Sequence, residues 1–176
     1  MKNGVIVMNE AKVQEILDKV GLDAEYIQSI VDELVNQCCD RLDSYVEYVS
    51  GLMNDPNYEL TSTQLDDIVM TIPTILYFVG TQQERYGIKR DVSKSSRTLM
   101  YNKIYADTAG TAGVKKAAAD AELFNEEIVT IIFDSTYNTI KAKVDAATEL
   151  LQSAKKVVSR RMSEIELTRS APYKER

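Results

Sequence analysis

The stretch YNTIKAKVDAATELLQSAKKVVSRRMSEI, residues 137–165, reads as one unbroken helix with a seam along it. Tyr137, Ile140, Val144, Ala147, Leu151, Ala154, Val158, Arg161 and Ile165 follow one another in alternating steps of three and four. That spacing holds a narrow stripe on one side of an α-helix for about four heptads, the a/d pattern of a coiled coil. Alanine at several d positions lets a neighbouring helix approach closely. Arg161 breaks the apolar row, which suggests that the seam opens there to solvent, to an acidic partner surface or to nucleic acid.

Upstream, TAGTAGV (108–114) is small and punctuated by glycine, so it is expected to be a flexible connection leading directly into the long helix. Residues 81–107 are polar and basic, with a thin apolar strip at Ile88, Val92 and Leu99. Before them, Leu65, Ile68, Ile72, Ile75 and Val79 form a core row that Ser62 or Thr63 can cap. Pro73 lies inside that helix and predicts a kink, or a helix that effectively starts there. Ile27, Val31, Leu34, Cys38, Leu42, Tyr45, Val49 and Leu52 define another long helix, which the turn residues NDPN (54–57) end. Residues 10–20 carry a short helical pattern that Gly21 is expected to stop. SAPYKER (170–176) reads as a disordered tail.

The fold expected from these segments is all-α: an elongated antiparallel helical hairpin or three-helix bundle with long coiled-coil-like helices and a short N-terminal helix. The whole chain, 1–176, is read as a single helical domain. It has an acidic N-terminal helical part (1–60), a long helical hairpin (61–170) and a tail (171–176). Ile140, Val144, Leu151, Val158 and Arg161 are the expected seam positions for helix pairing or oligomer formation, because a seam of this length exceeds what one short hairpin covers.

Composition narrows the chemistry. The 176 residues include no histidine and two cysteines, so no imidazole base and no His-liganded metal is available. Cys38 and Cys39 are adjacent in a helical segment, where their side chains diverge by about 100°, and read as small core residues. Gly110 and Gly113 lack the spacing of a phosphate-binding loop and follow no strand-like run. The paired acids Asp66 with Asp67 and Glu126 with Glu127 point in different directions on their helices and read as solvated faces. A non-enzymatic protein without a cofactor or metal is the expectation. No apolar stretch reaches the roughly 18–20 residues of a membrane span, and Met1–Met8 is too short for a signal-peptide core. A cytoplasmic protein is expected.

The net charge of −6 is unevenly distributed. Residues 1–80 hold 4 Lys/Arg against 14 Asp/Glu, and residues 81–120 hold 8 against 4. Residues 121–140 hold none against 4, and residues 141–176 hold 9 against 5. Within RYGIKRDVSKSSRTLMYNKIY (85–105), Arg90, Lys94, Arg97, Tyr101 and Tyr105 fall within an arc of about 80°, away from the apolar strip, with Lys103 close by in sequence. Cations that neutralise phosphates beside rings that stack on unpaired bases suit single-stranded nucleic acid without sequence preference. The same pattern also fits a solvated face with its tyrosines folded back onto the core. A second basic cluster, Lys155, Lys156, Arg160, Arg161 and Arg169, lies near the end of the long helix, where the macrodipole alone favours cations.

From IPTILYF (72–78) through R97-TLM-Y101-NKI-Y105-ADTA-G110 to IKAKVDAATELLQSAKKVVSRRMSEIEL (140–167), the chain resembles the UvsY-type recombination mediators of T-even-like bacteriophages. The resemblance covers about residues 65–167. Arg97, Tyr101, Lys103, Tyr105 and Gly110 match the family's basic, tyrosine-bearing, glycine-terminated segment. The tyrosines here are one turn apart rather than adjacent, the stretch to Gly110 is longer, and the acidic first 60 residues have no counterpart. The resemblance implies a DNA-recombination role: binding single-stranded DNA, forming a homo-oligomer and helping a RecA-like recombinase displace a single-strand-binding protein. For a phage-encoded chain the compartment is the bacterial host cytoplasm. The alternative from the heptad seam and acidic total is an oligomeric structural or adaptor protein, such as a phage assembly factor or regulator.

Overall fold

A computed structural model describes residues 10–53 and 59–170, which form four α-helices and no strand. Helix α1 spans Glu10–Met53, α2 Ser62–Asp107, α3 Ala112–Glu122 and α4 Phe124–Ser170. The three long helices pack around one continuous core, and the all-α expectation is met in its three-helix form. Helices α2 and α4 are antiparallel. Arg161 near the end of α4 reaches Leu60 just before α2, and Asp134 near the start of α4 reaches Lys94 far along α2. Helix α1 lies across both, through Tyr45 to Asp67 of α2 and Asp43 to Lys143 of α4.

The core is built from the rows that the helical spacing picks out. Helix α1 contributes Val31, Leu42 and Val49, together with Val35 and Cys39; α2 contributes Leu65, Ile68, Ile72, Ile75 and Val79. Helix α4 contributes Ile140, Ala147, Leu151 and Ala154, all buried, with Tyr137, Val144 and Val158 half-buried against the same cluster. The small Ala147 and Ala154 are buried in this core, where their short side chains permit close helix approach. Cys39 is fully buried and Cys38 half-buried, as small core residues should be.

Several boundaries differ from the sequence reading. Helix α1 runs through Gly21 without a break, because an interior glycine costs only about 1 kcal/mol relative to alanine and stops a helix only where the chain also turns. Helix α2 is capped by Thr61 rather than Ser62 or Thr63. The Thr61 hydroxyl accepts from the Gln64 amide while Gln64 Oε1 accepts from the Thr61 amide, a reciprocal capping box. Pro73 neither starts nor ends α2; it lies inside the helix on its exposed side. The connection is shorter than TAGTAGV: Ala112 already begins α3, and Gly110 takes φ +126°, the left-handed region that a side chain resists. A second break at Leu123 separates α3 from α4, so the long helix starts at Phe124. Ile165, expected in the seam, is 52% exposed, since α4 extends past the start of α2. The expectations for Met1–Met8, for NDPN and for the tail 171–176 lie outside the described residues. No helix among the described residues is long and apolar enough to cross a membrane.

Candidate nucleic-acid interface

The arc that carries Arg90, Lys94, Arg97, Tyr101 and Tyr105 continues, one helical turn after another, the side of α2 that carries Leu65, Ile72 and Val79. The basic, aromatic face is therefore turned toward the first turns of α4. The strip at Ile88, Val92 and Leu99 is 62–71% exposed and does not serve as the core side of α2. What determines the orientation is the partner: α4 presents Glu127, Thr130, Asp134 and Tyr137 there, a surface that charge and hydroxyl groups complement and a Leu–Val–Ile row would not.

Each predicted cation on this arc has an acidic partner. Lys94 Nζ donates to Asp134 Oδ1 at 2.7 Å, and Arg90 Nε lies 2.8 Å from Asp91 Oδ1 and 3.9 Å from Asp134 Oδ1. Arg97 is ion-paired with Glu127. Between these pairs Ser93 and Thr130 share a hydroxyl–hydroxyl hydrogen bond of 2.8 Å, and the Thr130 hydroxyl donates to the Glu126 carbonyl. The hydrogen bond from Arg90 holds the Asp91 carboxyl below its ordinary range, and the same bond raises the guanidinium's own value. Arg90 also sits over the Tyr137 ring, 4.2 Å from its centroid. That ring packs so close to Gly87 that an added Cβ would meet it at 3.3 Å, so the glycine sets how near α2 and α4 come. Lys89, which sequence reasoning did not single out, lies over the Tyr86 ring at 4.7 Å and the Phe133 ring at 5.7 Å.

Beyond Arg97 the ion pairs along this arc end. Tyr101 and Tyr105 stack on each other, with centroids 6.1 Å apart and planes 20° from parallel, both half-exposed. Lys115 of α3 stands 5.6 Å from the Tyr105 centroid. No spacing rule links Lys115 to Tyr105 in the sequence; the turn at Gly110 brings them together. Lys103 is on another side of α2, exposed at the rim of a shallow groove with Met100, Ile104, Asp107, Glu122 and Glu126. Among the described residues neither Lys103 nor Lys115 has an ion-pair partner. Arg97 Nε and Glu126 Oε2 are buried without a hydrogen-bond partner among the described residues.

The seam residues divide as well. Ile140 and Leu151 are buried within the bundle, and Val144 and Val158 flank them. At Arg161 the apolar row gives way to a polar tie: its Nη1 donates to the Leu60 carbonyl at 2.6 Å, and its Nη2 lies 3.9 Å from Glu59. It ties the end of α4 to the chain entering α2. No group of three or more acidic, cysteine or histidine side chains among the described residues is placed to hold a metal ion. No family model, curated protein or solved structure matches this chain.

Proposed function

We propose that the chain is a non-enzymatic, self-associating binder of single-stranded DNA, acting as a recombination mediator for a RecA-like recombinase. The observation that carries this reading is the Tyr101–Tyr105 stack with Lys115 beside it and Lys103 exposed nearby. Paired rings accept an unpaired base on a free face, and unpaired lysines answer the phosphates. Arg90, Lys94 and Arg97 contribute less to such binding, because a phosphate reaching them must compete with Asp134 and Glu127. The partners, single-stranded DNA, the recombinase and its single-strand-binding competitor, follow from the family resemblance.

The experiment is titration of a fluorescent single-stranded oligonucleotide at two salt concentrations. Lys115→Ala is expected to weaken binding of every sequence alike and lower the salt slope by about 0.7, since one fewer counterion is released. Tyr101→Ala is expected to lose about 1–3 kcal/mol with the slope unchanged, because stacking releases no ions. Lys94→Ala is expected to change affinity less than Lys115→Ala. No binding by the wild type at low salt sinks the reading.

The adaptor reading has its own support in the ion pairs that answer Arg90, Lys94 and Arg97 and in the apolar side chains left outside the bundle. It is the conclusion that an unresponsive oligonucleotide titration leaves.

A further inference from the structure

Helix α2 is buried on one side only. Directly opposite Leu65, Ile72 and Val79 runs a bare stripe of Met70, Thr74, Tyr77, Thr81, Ile88, Val92, Ser95 and Leu99. Met70, Tyr77, Ile88, Val92 and Leu99 are each 62–74% exposed, more than isolated surface residues need explain. The stripe is about 44 Å long at 1.5 Å per residue. The Thr74 and Thr81 hydroxyls donate to the Met70 and Tyr77 carbonyls one turn back, so both can be covered without stranding a polar group.

The spacing is a palindrome. From Met70 to Thr81 the steps are four, three, four; from Ile88 to Leu99 they are again four, three, four; Glu84 and Arg85 occupy the middle of the gap. About that midpoint Met70 mirrors Leu99, Thr74 mirrors Ser95, Tyr77 mirrors Val92 and Thr81 mirrors Ile88. An antiparallel pair about that midpoint sets the two residues of each mirrored pair side by side at the same height. We propose that this stripe is a two-fold interface in which α2 pairs antiparallel with α2 of a second copy of the chain, the axis passing between Glu84 and Arg85.

Charge selects that orientation. Asp66 and Asp67 flank the start of the stripe and Lys103 its end, so antiparallel pairing sets the acids at the height of Lys103 of the second copy. Parallel pairing would set the acids of the two copies against each other. At the axis two carboxylates and two guanidiniums meet as a neutral cluster; among the described residues neither Glu84 nor Arg85 has an ion pair within its own chain. An isologous contact of this kind is closed and needs no further copies. It deepens the self-association in the reading above and shares only Lys103 with the nucleic-acid contacts, leaving Tyr101, Tyr105 and Lys115 outside the interface.

Sedimentation of the full chain, with circular dichroism on the same samples, tests the interface. The wild type is expected to be a dimer at micromolar concentration. Val92→Glu, an exposed position in the single chain, is expected to weaken the dimer at least about tenfold by burying an unpaired charge, with helix content and melting behaviour of the monomer retained. Glu84→Arg and Arg85→Glu should each weaken it, and the double exchange should restore it. Mild oxidation of mixed Thr81→Cys and Ile88→Cys chains should give a cross-linked dimer. Each chain alone should not, since like positions then stand about 10 Å apart along the helices, beyond disulfide reach. The unsubstituted chain serves as the control for Cys38 and Cys39. A monomeric wild type, a dimer indifferent to Val92→Glu, or cross-linking of Thr81→Cys to itself overturns the proposal. A monomer that binds the oligonucleotide overturns this interface alone, and a dimer that does not bind it overturns only the nucleic-acid reading.

Discussion

Thr136 is wholly buried in α4, yet its hydroxyl has no hydrogen-bond partner among the described residues. An unpaired buried hydroxyl costs about 1–3 kcal/mol, so Thr136→Val, which keeps the shape, is expected to stabilise the chain by about 1 kcal/mol. The measurement is a melting temperature raised by about 2–4 °C; a lower one means that the hydroxyl is satisfied. Cys39 offers a pH test. Burial, with Asp43 nearby, pushes its thiol from 9.0 up to about 11. Between those values the unfolded chain has lost the proton that the folded chain still holds, so stability falls as pH rises through that window. Tyr45, pushed from 10.0 up to about 12 by burial and by its bond to Asp67, adds a further loss at higher pH. Cys39→Ala is expected to flatten the fall in melting temperature that begins near pH 9 and to leave the later loss from Tyr45. Equal slopes in both proteins would count against the Cys39 assignment.

Helix α2 changes character along its length while keeping one side against α4. Up to Val79 that side is aliphatic, and beyond Gly87 it is held by ion pairs and a hydroxyl contact. These pairs are partly exposed, so each is worth about 0–1 kcal/mol and weakens in salt. Asp134→Ala, which releases Lys94 and the longer contact to Arg90, is expected to lower stability by up to about 1 kcal/mol at low ionic strength. The loss should shrink in high salt, as paired thermal melts at two salt concentrations will read; a loss that salt leaves unchanged means that packing rather than charge was removed. The opposite charges of segments 81–120 and 121–140 are legible in the sequence, but periodicity does not reveal that the two segments face each other. A basic arc reads the same whether it looks at phosphate or at a neighbouring helix.

At the scale of the whole molecule, α4 contributes its seam to the core that the three long helices share. Leu151, 6% exposed at the centre of its seam, is expected to cost about 2–5 kcal/mol on replacement by alanine. Denaturant unfolding of Leu151→Ala measures it, and a midpoint equal to that of the wild type means that the seam is not the core.

The sequence by itself determined the helices and their buried rows, because a 3.6-residue period is a local property and aliphatic residues at that period have one stable use. Ile140, Leu151, Ile72 and Val31 could be placed in the core from spacing alone. The long-range pairing was decided only in the tertiary structure. That Arg161 binds the Leu60 carbonyl, that Arg97 meets Glu127 and that Lys115 reaches Tyr105 all depend on which helices lie side by side and at what register. The same holds for the two faces of α2. Its apolar strip stayed outside and its charged arc turned inward because α4 opposite is itself acidic and hydroxylated, and electrostatic fit between two elements cannot be read from either one alone.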